Sequence, residues 1–249
     1  ISGLQALEYR GYDSAGIAVL SEGQIDRLRT SGKVRELANL QQSTPIFGTS
    51  GIAHTRWATH GAPVTGNAHP HMSGQVSVVH NGIIENHAEL RAELQGLGYT
   101  FSSQTDTEVI AHLVEHYQRD GLRLIDAARR ALSRMHGAYA VVLISAREPG
   151  ILVGARSGSP LVVGLGEGEH YLASDVHALL PFTRRFIYLA EGDLVELDIH
   201  SVRIFDANGD AVTRPEKLSS FSADAVDRGH ASRLRWPSGG FTAGVASTS

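Results

Sequence analysis

The chain has 249 residues, of which 42% are hydrophobic and 19% charged, a balance that suits a globular protein with a core of ordinary size. A formal net charge of -4 gives no basic footprint for nucleic acid, and no apolar run approaches the ~18 residues that span a bilayer. There is no cysteine, which excludes disulfides, thiolate metal sites and a thiol nucleophile from the chain itself, and a cytoplasmic protein is the default expectation.

Ile1–Glu8 reads as the end of an amphipathic helix with Leu4 and Leu7 on one face, followed by a polar turn through Tyr9-Arg10-Gly11-Tyr12-Asp13. Ile17–Leu20 and Ile25–Leu28 flank Glu22-Gly23 as a hairpin, and Lys33–Gln42 reads as a short helix. Gly51–Asn86 is the stretch that organises the rest. It holds five of the thirteen histidines and the pair Arg56-Trp57, then closes on the β-branched run Val76–Val79 that delivers His80-Asn81-Gly82. Asn-Gly at a strand end predicts a turn whose side-chain and backbone N–H groups point the same way, the geometry an oxyanion hole requires.

Asn86–Glu89 and Thr105–Glu108 both read as capping boxes, opening helices with stripes at Leu90, Leu94, Leu97 and at Val109, Leu113, Val114, Tyr117. A third helix is predicted over Leu122–Met135. From Ala138 the period changes to two, with strand candidates at 139–145, 150–156, 161–166, 170–174, 185–190, 193–198 and 202–206, and a short helix at Asp175–Leu180. The direct reading is an antiparallel sheet system with helices between its strand groups. From about Gly229 the chain loses any strand or helix period and turns rich in Gly, Ser and Ala, so residues 230–249 are expected to be a disordered tail beyond a domain at 1–229.

With these residues laid out, four motifs stand in order: LEYRGYDSAG at 7–16, GIAHTRWATHG at 51–61 with NAHPH at 67–71, VVHNGIIEN at 78–86, and TDTEVIAHL at 105–113. ARSGSPLVVGLG at 155–166 and LASD at 172–175 extend them. Together they resemble the glutamine amidotransferase domain of the glutamine:fructose-6-phosphate aminotransferases, or glucosamine-6-phosphate synthases, which are N-terminal-nucleophile hydrolases. The resemblance implies an α+β fold of two stacked, mainly antiparallel sheets between helical layers, αββα. It also implies a glutaminase activity that donates ammonia to a sugar-phosphate isomerase domain, without cofactor or metal, in a parent that is a homo-oligomer.

The resemblance assigns roles that the residue types can support. Glutamine's α-carboxylate needs a planar cationic fork, which Arg56 offers; its α-ammonium needs a carboxylate, which Asp106 offers. Thr59 and His60 would complete that pocket and Trp57 would wall it. Asn81 and the N–H of Gly82 would hold the oxyanion, and Arg10 would support the nucleophile end. In the family the nucleophile is a cysteine at the mature N-terminus, on a segment that also carries the first strand. That segment does not precede Ile1 here, so the chain is expected to release no ammonia and to carry an open, unpaired groove in one sheet. Ser2, on a helical run, is not expected to replace the cysteine. Two rival readings remain beside these: a non-catalytic module that binds glutamine or pairs with a partner, and another amidotransferase of the same class. A histidine metal site around His69-Pro70-His71 is disfavoured, since no Asp or Glu falls between Gly51 and Ile84.

Overall fold

The computed structural model describes residues 1–57, 61–219 and 240–246. In chain order the elements are α1 (Ser2–Gln5), β1 (Ser14–Ser21), β2 (Gln24–Ser31), α2 (Val34–Ser43), β3 (Ser50–Arg56), β4 (His71–Ser73), β5 (Val76–Ile84), α3 (His87–Gly96), α4 (Glu108–Arg119) and α5 (Leu124–Leu132). Then follow β6 (Gly137–Ser145), β7 (Leu152–Ser157), β8 (Val162–Leu165), β9 (Glu169–Ala173), β10 (Arg185–Tyr188), β11 (Leu194–Leu197), β12 (Val202–Phe205), β13 (Ala211–Val212), β14 (Glu216–Leu218) and β15 (Gly240–Ala246). Every pairing between these strands is antiparallel. They make an eight-stranded sheet, β14-β10-β8-β9-β15-β3-β1-β2, and a seven-stranded sheet, β13-β12-β11-β7-β6-β5-β4.

Side-chain alternation stacks the layers. Along β6, Val141 and Leu143 face the helices α3, α4 and α5, whereas Ala140, Val142 and Ile144 face the other sheet. Both faces are thus covered by apolar partners, which is why β5 and β6 read as continuous apolar runs rather than alternating ones. Ala18, Ile52, Leu172 and Ala243 meet that inner face from the eight-stranded sheet. On the outer face of the eight-stranded sheet, α1 and α2 bring Leu4, Val34 and Leu37 against Ala15, Leu28 and Ala53. The order of layers is helix, sheet, sheet, helix: the αββα sandwich expected from the sequence. Among the described residues no helix is long and apolar enough to cross a membrane.

Three local readings change. Neither predicted capping box forms: α3 and α4 begin at His87 and Glu108 with no side-chain cap bond from Asn86 or Thr107. The Asn86 amide instead ties Arg134 O and His136 N, a long-range use that outcompetes the local cap. Asn81-Gly82 is not a turn. It lies inside β5, opposite Ala140 and Tyr139, and the strand runs on to Ile84. Gly82 has φ 127, and a Cβ there would stand 2.0 Å from Ala138 O, so glycine is required to distort the strand without breaking its pairing.

The third change is in the tail. Gly240–Ala246, expected to lack structure, form β15 in the middle of the eight-stranded sheet, antiparallel to β3 on one side and β9 on the other. Backbone hydrogen bonds on both edges carry the strand, and they ask little of its side chains. Small residues are what the place demands: Ala243 is buried in the inter-sheet core, and a Cβ on Gly244 would lie 2.9 Å from the Tyr171 ring. Those seven residues of the tail belong to the folded body; the remainder of 220–249 lies outside the described residues.

Candidate active site

Two strands from different sheets deliver the site. β3 carries His54 and Arg56 on its buried length, and β5 carries His80, Asn81 and Gly82 across the inter-sheet layer. Arg56 is 4% exposed. Its guanidinium donates to the carbonyls of Gly61 and Ala62 at 3.2 and 3.4 Å and lies 3.9 Å from the Asp13 carboxylate. Burial pulls Arg56 below its ordinary pKa, while the charges of Asp13 and Asp106 push it back up. Asp106 is thus within electrostatic reach of Arg56 although fifty positions separate them in the chain.

Asp106, also 4% exposed, accepts from the Ile84 N–H at 2.8 Å through Oδ2, which anchors it two residues beyond Gly82. The sequence-predicted Arg56, Asn81, Gly82 and Asp106 therefore belong to one neighbourhood built from β3, β5 and the entry to α4. Trp57, 53% exposed, lies over Gly11, where an added Cβ would sit 3.0 Å from its ring. Asp13 N donates to Arg56 O at 2.9 Å, tying the YRGYD loop to the end of β3. Arg10 ends a 3-10 turn over Glu8–Arg10 in that loop; its side chain, and Thr59 and His60 altogether, lie outside the described residues.

Sequence reasoning missed the polar layer that holds these groups. Read as a capping box, Thr105–Glu108 is instead a fan of four anchors. Thr105 Oγ1 meets His71 Nε2 at 3.0 Å, Asp106 meets Ile84 N, and Thr107 Oγ1 meets both His80 Nδ1 and His69 Nε2, at 2.9 and 3.2 Å. Glu108 accepts backbone and hydroxyl donors from Ser102 and Ser103 at 2.7–2.8 Å. Burial alone would raise the Glu108 carboxyl, but those donors hold it below the ordinary carboxylate range. The signal available in the sequence was the cluster of histidines itself: four of them meet these hydroxyls or one another.

His54 stacks on His69 with centroids 4.2 Å apart, and His69 meets His71 edge-on at 4.8 Å. All three are buried and kept neutral. Burial lowers His54 to about 3 and puts His69 and His71 well below the ordinary value, with neighbouring imidazoles and arginines lowering the latter pair further. His69 Nδ1 accepts from the His80 N–H at 3.4 Å, so its own proton is on Nε2 and donates to Thr107 Oγ1. Among the described residues no group of three or more His, Asp or Glu side chains is placed to hold a metal ion. The layer is a set of hydrogen-bonded neutral rings.

Comparison with known proteins gives the family. Residues 54–181 match the family model described as a glutamine amidotransferase domain. The glutamine–fructose-6-phosphate aminotransferase (isomerizing) of Pseudomonas putida is 58% identical over 231 residues, and that of Escherichia coli K12 is 56% identical over 230. Each alignment takes in 92% of this chain and 38% of the relative, so the chain spans well under half the length of the curated relatives it matches. The structure of a glutamine phosphoribosylpyrophosphate amidotransferase from B. subtilis superposes with a TM-score of 0.71 at 24% identity, over 84% of this chain and 46% of that one, a likeness of fold. The matched segment begins at His54 and takes in Arg56, Asn81, Gly82 and Asp106, the residues that β3, β5 and the start of α4 bring together, and the chain belongs to the glutamine amidotransferase domain family.

Proposed function

We propose that this domain binds free glutamine and stabilises the hydrolysis of its side-chain amide, releasing ammonia for a sugar-phosphate aminotransferase of which it forms the glutaminase part. The observation that carries the reading is the convergence of Arg56 and Asp106, with Asp106 anchored to β5 just past Asn81-Gly82. A zwitterion needs one fixed charge of each sign, and a tetrahedral intermediate needs donors nearby; this neighbourhood offers both. The 56–58% identity to fructose-6-phosphate aminotransferases favours fructose 6-phosphate as the final acceptor.

In this reading Arg56 takes the α-carboxylate. Its present bonds to Gly61 O and Ala62 O make the same cation hold the following loop, so ligand and loop close on one centre. Asp106 keeps one oxygen on Ile84 N and offers the other to the α-ammonium. A thiolate, supplied by the N-terminal cysteine that the family resemblance implies, adds to the amide carbon. The oxyanion so formed is held by Asn81 and the Gly82 N–H. Ammonia leaves with a proton from the cysteine's α-amine, and water releases glutamate from the thioester. Trp57 shields the pocket mouth. The reading implies a cytoplasmic compartment, where free glutamine is at hand.

Titration calorimetry of the chain with glutamine tests the binding half. Arg56→Ala is expected to weaken binding by about 2–5 kcal/mol, the usual cost of deleting the charged partner of a ligand carboxylate. Glutamine binding unchanged in Arg56→Ala and in Asp106→Asn would overturn the reading.

A further inference from the structure

We propose that His54 is a positioning residue for Asn81: its Nε2–H fixes the orientation of the Asn81 amide so that Nδ2 is the atom presented to the developing oxyanion. The inference rests on the oxyanion role given to Asn81 above.

A backbone carbonyl, whose role cannot be reversed, fixes the direction of the first hydrogen bond. His54 Nε2 lies 3.1 Å from His80 O, and a carbonyl oxygen only accepts, so Nε2 carries the proton. The same nitrogen lies 2.9 Å from the Asn81 side chain. A protonated Nε2 can only donate, so the atom facing it must be Oδ1 rather than Nδ2. The amide is planar, and fixing Oδ1 fixes Nδ2 on the other side. Among the described residues the Nδ2 group donates to none, although Asn81 is only 4% exposed. The Nδ2 group is not fully enclosed, so a donor without a protein acceptor among the described residues is left open to a ligand that takes its hydrogen bonds.

His54 is itself built to be invariable. It is buried in β3 opposite Gly16, its ring is stacked on His69, and Arg56 stands two residues on along the same strand. It stays a neutral ring across the physiological range, because burial disfavours its charged form. The stacking partner is fixed in turn by Thr107, adjacent to Asp106. One contiguous set of rings and hydroxyls thus joins the donor end of the site to the glutamine-holding end. Without the His54 donor, the Asn81 amide loses the interaction that distinguishes its two planar orientations, and the flipped form would turn Oδ1 toward a negative oxygen.

Two measurements test this. In the wild-type chain, long-range ¹⁵N–¹H correlations of the imidazoles should place the His54 proton on Nε2 throughout pH 5–8; a proton on Nδ1 would overturn the proposal. In the form of the protein that carries the N-terminal cysteine, His54→Phe keeps ring volume and stacking but removes the donor, and should lower kcat about 10–100-fold with KM for glutamine within about twofold, approaching the effect of losing an oxyanion donor. His54→Gln, whose amide nitrogen reaches the position of Nε2, should recover most of the loss, which a merely structural role would not predict. In an Asn81→Ala background His54→Phe should cost nothing further. If Asn81→Ala itself leaves kcat within twofold, the oxyanion reading fails and takes this inference with it. If Asn81→Ala is severe but His54→Phe is neutral, or adds its full effect to it, the positioning inference alone is overturned.

Discussion

β5 lies one strand in from the edge of its sheet and β15 in the middle of the other, and they come to those places by different means. β5 is nine residues long, opens with Val76, Val78 and Val79, and pairs with β6 along its whole length. It is also tied laterally by side chains: Asp106 to Ile84 N, and His69 Nδ1 to His80 N. β15 is seven residues of GFTAGVA, held by backbone pairing to β3 on one side and β9 on the other. A strand inside a sheet can thus be specified by its own sequence or by the backbone edges on either side of it, and only the first kind announces itself in a sequence.

Acidification should have the largest effect, because the buried histidines lie in the layer between β3 and β5, and His54 is in register with Phe241 of β15. His54, His69 and His71 have folded-state pKa values below the ordinary 6.5, so the unfolded chain binds more protons than the folded one below that pH. Their contribution is fully present above about pH 6.5 and is lost progressively as pH falls toward the folded values, about 3 for His54. From pH 7 to pH 5 this amounts to roughly 2 kcal/mol for His54, with His69 and His71 acting in the same direction. Urea midpoints at the two pH values measure it. A stability that is flat over this range would mean that the rings are not buried as neutral groups.

Gly82→Ala should come next, at about 3 kcal/mol or more, since the new Cβ meets the backbone at Ala138 O and φ 127 is unfavourable to alanine. Thermal unfolding against wild type would report it. An unchanged midpoint would show that β5 relaxes as easily as a terminal strand.

Thr242→Pro probes β15 in the same currency. Removing a ladder donor from a central strand costs about 3 kcal/mol when that strand is paired on both sides. Hydrogen exchange should then show faster exchange at Ile52–Thr55 in β3 and at Tyr171–Ala173 in β9, with β5 and β6 unaffected. Wild-type amides at Thr242–Val245 that exchange as fast as a free peptide would remove β15 from the sheet. The smallest effect belongs to Trp57→Ala, under about 1 kcal/mol in stability, because half of that ring is already exposed. A larger loss in chemical denaturation would mean that the ring supports the YRGYD loop and is not only a wall.

Much of the body was legible because its signals are local. The apolar stripes of α4 and α5, the hairpin β1–β2 and the short strands after Ala138 follow from periodicity, with boundaries shifted by up to three residues. β4, β13 and β14 were not seen, being two or three residues long and held by their neighbours rather than by propensity. The predicted caps failed for a related reason. A hydroxyl or amide near a helix start has several partners in reach, and Thr105, Thr107 and Asn86 bond across the fold instead.

The sequence by itself marked the strand- and helix-forming segments, and its motifs, through the family they resemble, implied the layer order and the residues of a glutamine site: an arginine and an asparagine on strands, and an aspartate before a helix. Periodicity and residue chemistry are properties of short segments, and they survive without the rest of the chain. Only the tertiary structure decided that Asp106 hangs from Ile84 N, that His54 faces Asn81, and that Gly240–Ala246 lie between β3 and β9. Each of these is a pairing between groups that are distant in the chain, satisfied because burial leaves their donors and acceptors no water to turn to.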